Sequence, residues 1–332
     1  MPLLGRDNLV GVRAPEFKDG MVWLNSKPLK LEELLKEGKV VMIDFWTYSC
    51  INCIRTLPHV VGWAKKYRDK GLVIVGVHTP EFDFEKEKSN VEKAIADFSI
   101  EYPVVLDNDY VVWNSYANRY WPRKLIIGKD GSIVYDHAGE GNYGETEKKI
   151  RELLSLADDN SIASEEGTGG ICYPTTPEIY LGHERGTLGN EEGFKKDQAF
   201  KYEISDDNDR DKFYLRGDWI AGSQFIEHAG KEGNLDDFVQ LNFSALSVNV
   251  VLGSKDGEVY EVLVSLDGQP LSKEIAGEDV KIKDGKSILE FKADRMYNLI
   301  DSKEYLDNRK LKLSVKSDQF RAFAFTFGAC AH

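Results

Sequence analysis

The chain has 332 residues and a formal net charge of −13, too long for one typical domain and comfortable for two. That acidity argues against nucleic acid as a partner, because phosphate binding needs clustered Lys and Arg, and the cluster Arg309, Lys310 and Lys312 is diluted by Asp307 and Asp318. No apolar stretch is long enough to span a bilayer, no signal peptide opens the chain, and four cysteines are too few for a disulfide scaffold.

In chain order, "KVVMIDFW" reads as a short buried strand and "CIRTLPHVVGWAKKYRDK" as a helix with a basic end. "GLVIVGVH" is a second buried strand. "SNVEKAIADF" is a helix with Ser89 as N-cap and Val91, Ala94, Ile95 and Phe98 on one face. "RKLIIGKDGSIVYDHAG" forms a hairpin around Asp130-Gly131, and "GETEKKIRELLSL" a closing helix. Buried strands separated by helices predict an α/β domain over residues 1–157, a central sheet with helices on both faces.

Residues 158–172 are polar, rich in Gly and Ser and without period, and read as a linker. Beyond it, "ALSVNVVLG", "EVYEVLVSLDG", "LKLSVKS" and "FAFTFG" alternate apolar and polar residues, with Asp-Gly turns at Asp256, Asp267 and Asp284. Residues 173–332 therefore predict an all-β antiparallel sandwich.

The chemistry-bearing stretch is "DFWTYSCINCIRTLP", residues 44 to 58. Cys50 and Cys53 follow a buried strand and open a helix. The unpaired N–H groups and partial positive charge of a helix start favour a thiolate, so Cys50 is expected to attack. Two intervening residues place Cys53 one turn away, where it can resolve a mixed disulfide. Asp44 is the one charged residue in "VVMIDFW". Burial is expected to raise its pKa and fit it to carry the Cys53 proton, against a plain strand-edge role. His78 and Glu81, at the end of the neighbouring strand, are further candidate proton shuttles.

Asp44-Phe45-Trp46, Cys50 six residues after Asp44, and Pro58 five residues after Cys53 together resemble the thioredoxin pattern. The segment from His78 to Pro122 is similar to the insertion of the TlpA-like and redoxin branch. "FWTYSCINC", "GVHTPEF", "LDNDYVVWNSYANRYWP" and "GEGNYGETEKKI" resemble most closely the C-terminal region of DipZ-type proteins, in which a thioredoxin-like domain precedes a sandwich similar to carbohydrate-binding modules. The resemblance implies a jelly-roll-like second domain opening at "TPEIYLGHERG", a cis peptide at Trp121-Pro122, and substrate docking by Trp121, Pro122 and Trp46. It implies protein disulfides or dithiols as substrates and no cofactor. DipZ-type proteins carry a membrane electron-transfer domain that this sequence lacks, so a separate donor, a thioredoxin system or a membrane reductase, is expected. Taken literally the chain is soluble and cytoplasmic; as a piece of a DipZ-type protein it would be extracytoplasmic.

Zinc would need two further ligands, and Cys172 and Cys330 belong to no second pair; no metal is expected. A thiol peroxidase is suggested by Thr47 three residues before Cys50, but its expected proline is Ile43 here. A weakly active targeting protein would use the sandwich to bind carbohydrate or protein, with Tyr202, Phe213, Tyr214 and Trp219 as candidate stacking rings or, alternatively, core. Cys172 and Cys330 are either a clip closing the sandwich or two thiols.

Overall fold

The computed structural model describes residues 8–157, 172–204, 209–230 and 236–330. The predicted linker 158–172 lies outside them except for Cys172. The chain divides into two compact units, 1–168 and 169–332.

The first unit runs β1 (Val22–Leu24), α1 (Leu31–Lys36), β2 (Val40–Trp46), α2 (Ile51–Tyr67), β3 (Leu72–His78), α3 (Lys88–Asp97), β4 (Val104–Leu106), α4 (Val111–Ser115), β5 (Arg123–Ile127), β6 (Ile133–Ala138) and α5 (Tyr143–Leu153). The sheet order is β1-β4-β3-β2-β5-β6. β2 is parallel to β3 and antiparallel to β5, so it is central and buried on both faces.

Side chains alternate across a strand, and β2 sorts itself accordingly. Val41, Ile43 and Phe45 pack with Leu31, Leu34, Val112 and Trp113, on the side of α1 and α4. Val40, Met42 and Trp46 pack with Leu57, Val60, Val91 and Ile150, on the side of α2, α3 and α5. Asp44 falls in the second set by parity and so faces α2. One helix start differs from the sequence reading: Glu87, not Ser89, caps α3, and Ser89 lies inside the helix.

Asp130-Gly131 does turn the chain between β5 and β6. Only Gly131 takes positive φ, +85°, and the connection is longer than a two-residue turn. Asp267-Gly268 and Asp284-Gly285 both hold positive φ at each residue and close two-residue loops, Leu266 facing Gln269 and Lys283 facing Lys286, as type I′ geometry requires.

The second unit is all-β. Eleven antiparallel strands form one hydrogen-bonded network among the described residues. Its axis is the pair Phe238–Ser254 and Arg295–Val315. The first of these pairs with Phe213–Arg216 at its start and with Phe320–Gly328 at its end. Register breaks at Phe243/Ala245 and Ala245/Ser247 lie between those partner sets, and one at Val248/Asn249 lies within the second. Such bulges bend a strand and let it pass from one layer to another.

The four candidate sugar-stacking rings belong to the core. Tyr202, Phe213, Tyr214 and Trp219 are all buried. Their polar tips are also occupied: Trp219 Nε1 donates to the Arg216 carbonyl at 2.7 Å, and the hydroxyls of Tyr202 and Tyr214 accept the Lys195 and Asp209 N–H groups. These residues offer no stacking platform, because a covered ring cannot lie against a sugar.

Cys172 and Cys330 are bonded, with S–S 2.04 Å and 158 residues of separation. On the chain-entropy account, closing a loop that long contributes about 5 kcal/mol by restricting the unfolded chain. Peptide mapping of unreduced protein is expected to recover the Cys172 and Cys330 peptides joined. Recovery of both as separately alkylated thiols would count against the clip.

Candidate active site

A short loop, residues 47–49, joins β2 to α2, and Cys50 is the N-cap of α2. The Cys50 sulfur accepts the Cys53 backbone N–H at 3.3 Å. No acidic residue sits in the first turn, and Lys65 and Lys66 occupy the last, so the helix charges do not oppose a negative sulfur at its start. Cys50 is half-buried and Cys53 fully buried, and both are free thiols. Pro58 lies within the continuous helix.

Burial pushes the Cys53 thiol up strongly, with Cys50 and Asp44 adding to it, while a backbone hydrogen bond from Thr47 pulls it down. Burial likewise raises Asp44 to about 7, against the opposing pull of Lys124. Asp44 Oδ1 has no hydrogen-bond partner among the described residues. The carboxyl therefore sits close enough to Cys53 for the two to feel each other's charge. It is poised to change protonation near neutral pH.

Lys124 was not singled out in the sequence. It stands directly across from Asp44 in the β2–β5 register, so the two side chains share the α2 face. Its Nζ donates to the Gly139 carbonyl at 3.0 Å and lies 5.6 Å from the Tyr143 ring centre. Burial lowers its pKa, and Asp44 and Cys53 raise it. Gly76 is the neighbour of Asp44 on β3. A Cβ there would come within 2.9 Å of Trp46 Nε1, so the missing side chain makes room for the tryptophan.

The remaining sequence candidates divide. Trp121 precedes Pro122 in a cis peptide. It is half-buried, packs on Trp113 at 4.2 Å and donates its Nε1–H to the Thr79 carbonyl. Trp46 is fully buried. It cannot touch a docked substrate, because β2 has protein on both faces; it is a core ring set edge-on to His78. His78 is buried between Trp46 and Tyr48, with Nε2 3.4 Å from Thr47 Oγ1. Burial drives its pKa down to about 3, so it is neutral. Glu81 contributes its backbone N–H to Glu85. Glu85, which the sequence reading passed over, is the carboxylate that reaches the loop before Cys50.

Among the described residues no group of three or more His, Cys, Asp or Glu could hold a metal ion. Among the described residues no helix is long and apolar enough to cross a membrane.

Two family models match the chain: Redoxin over residues 9–154 and "Thioredoxin like C-terminal domain" over residues 176–328. Protein DipZ of Mycobacterium bovis is 38% identical over 274 residues, 80% of this chain and 38% of DipZ. NHL repeat-containing protein 2 of Bos taurus is 42% identical over 130 residues, 39% of this chain and 18% of that protein. Thiol-disulfide oxidoreductase YkuV of Bacillus subtilis is 28% identical over 141 residues, 42% of this chain and 93% of YkuV. The chain thus spans about two fifths of the length of DipZ. With a region that matches the Redoxin model followed by one that matches the thioredoxin-like C-terminal domain, the chain is similar to thioredoxin-like proteins in both of its units.

Proposed function

We propose that the chain is a thiol–disulfide oxidoreductase acting on protein substrates through Cys50 and Cys53. One observation carries this reading. A half-buried sulfur caps a helix, a buried sulfur sits one turn behind it, and a carboxyl raised to about 7 lies beside the buried one.

The steps follow from that arrangement. The Cys50 thiolate attacks one sulfur of a substrate disulfide; that S–S bond breaks, and the second substrate sulfur leaves and takes a proton from solvent. Cys53 is a thiol held neutral by burial. It passes its proton to the Asp44 carboxylate and attacks Cys50 Sγ. The mixed disulfide breaks, the first substrate sulfur leaves and is protonated, and Cys50–Cys53 is the new disulfide. Two electrons have moved to the substrate, and the same steps reversed oxidise a dithiol. A separate electron donor resets the pair in the reducing direction. Trp121 and Pro122 border the substrate, and residues 173–332 act as a β module distinct from the redox domain 1–157.

Insulin reduction coupled to dithiothreitol tests the reading. Cys50→Ser is expected to abolish the activity above background; an unchanged rate would sink it. Lys124→Met tests the proton path. The ammonium of Lys124 holds Asp44 down, so its loss raises Asp44 further. The pH midpoint of the resolving step is expected to move upward from about 7, as read by stopped-flow decay of a mixed disulfide across pH 5 to 9. A midpoint that stays in place or falls would show that the two groups are not coupled.

A further inference from the structure

The steps above leave one buried carboxylate without a task. Glu85 lies in the 3₁₀ turn Asp83–Lys86 and is fully buried. Its Oε2 accepts the backbone N–H groups of Glu81 at 2.6 Å and Phe82 at 3.0 Å. Its Oε1 accepts the Ser49 N–H at 3.2 Å and the Ser49 hydroxyl at 2.6 Å. Thr47 adds a further side-chain hydrogen bond. None of these partners is a cation, and the backbone partners can only donate. An ionised carboxylate offers about four acceptor positions, and these donors fill them. Burial raises the Glu85 pKa while the Ser49 and Thr47 bonds lower it.

The other end of the same loop meets the redox pair. The Thr47 carbonyl accepts the Cys50 N–H at 3.4 Å. The Thr47 backbone bonds the Cys53 sulfur, and its hydroxyl lies 3.4 Å from His78 Nε2. Glu85 is therefore joined to the surroundings of both sulfurs through Thr47 and Ser49.

Resting on the redox reading above, we infer that Glu85 is a positioning residue for the Cys50–Cys53 couple, its carboxylate clamping the loop 47–49 to the turn Asp83–Lys86 and so setting the contacts Thr47 makes with the Cys50 N–H and the Cys53 sulfur. Those contacts favour the reduced pair over the disulfide. Loosening the clamp weakens them.

The test uses the full chain and Glu85→Gln, whose amide NH₂ meets N–H and O–H donors where the carboxylate oxygen accepted them. Its equilibrium with glutathione is expected to shift about two- to tenfold toward the disulfide, the range of one modest hydrogen bond. The kcat for insulin reduction should fall with KM unchanged, because the Trp121–Pro122 side is untouched. Ser49→Ala, which removes one hydroxyl, should move both values the same way by less. A folded Glu85→Gln protein with wild-type equilibrium and kcat overturns the inference. If Glu85→Gln does not fold, an unshifted equilibrium in Ser49→Ala does so. A wild-type chain that fails to equilibrate with glutathione at all overturns the redox reading itself, and this inference with it.

Discussion

Asp44→Asn is expected to slow resolution of the mixed disulfide by about 100-fold or more at pH 7, within the range of general acid–base contributions, and to make the fold more stable. Both effects come from one buried carboxyl. Asp44 lies on the α2 face of a strand covered on both sides, and burial raises it to about 7. Asparagine keeps the shape and cannot take the Cys53 proton. Adduct formation at Cys50 should be unchanged, because that step does not use Asp44.

The stability sign follows from linkage. The folded state holds the Asp44 proton more tightly than the unfolded state does. Stability is therefore full below about pH 4, falls as pH rises toward 7, and is level above that. From an ordinary 3.8 to about 7, the loss is up to about 4 kcal/mol. Asparagine has no such loss. Denaturant unfolding at pH 5 and pH 8 is expected to show the variant's advantage growing with pH. An advantage equal at both values would mean that Asp44 does not titrate in this window.

Arg123→Met is expected to destabilise the first unit by about 3–5 kcal/mol, the cost of breaking a buried ion pair from one side. Arg123 directly follows Pro122. Its Nε and Nη2 donate to the two oxygens of Asp136 at 2.8 and 2.6 Å, and both side chains are nearly inaccessible. Asp136 also accepts the Leu9 N–H, and Arg123 Nη1 donates to Asn118 at 3.4 Å. The pair thus ties the Trp121–Pro122 turn to β6 and to the start of the described chain. Methionine would leave the Asp136 charge buried with a single donor. The double variant Arg123→Met, Asp136→Leu removes both charges and should recover most of the loss. Tryptophan fluorescence reads the first unit, since Trp23, Trp46, Trp63, Trp113 and Trp121 are there and only Trp219 is not. A double variant no more stable than the single one would contradict this account.

Much of the site was legible because it is local. The two-residue gap between the cysteines, their place at a helix start and one charge inside an apolar strand all lie within 10 residues of one another. What escaped is non-local. Lys124, Glu85, Arg123 and Asp136 look like ordinary surface charges along the chain; strand pairing encloses Lys124, Arg123 and Asp136, and the loop before Cys50 closes over Glu85. Lys124 carried a faint signal, a cation opening the apolar run "KLII" after Pro122. Trp46 was misplaced because a strand buried on both faces shows no alternation in hydropathy to tell a site face from a core face. The aromatics of the second unit failed for the converse reason: half of any sandwich strand points inward, as Tyr202, Phe213 and Trp219 do, and Tyr214, on the opposite face from Phe213, is covered as well.

The central claim is a division of labour in which Cys50 attacks and Cys53 resolves. It is tested most directly by incubating Cys53→Ser and Cys50→Ser proteins with a model peptide disulfide and weighing the intact products. The expected result is a stable peptide adduct on Cys50 in the first protein and none in the second. An adduct on Cys53 in the Cys50→Ser protein, or none in either, would contradict the account.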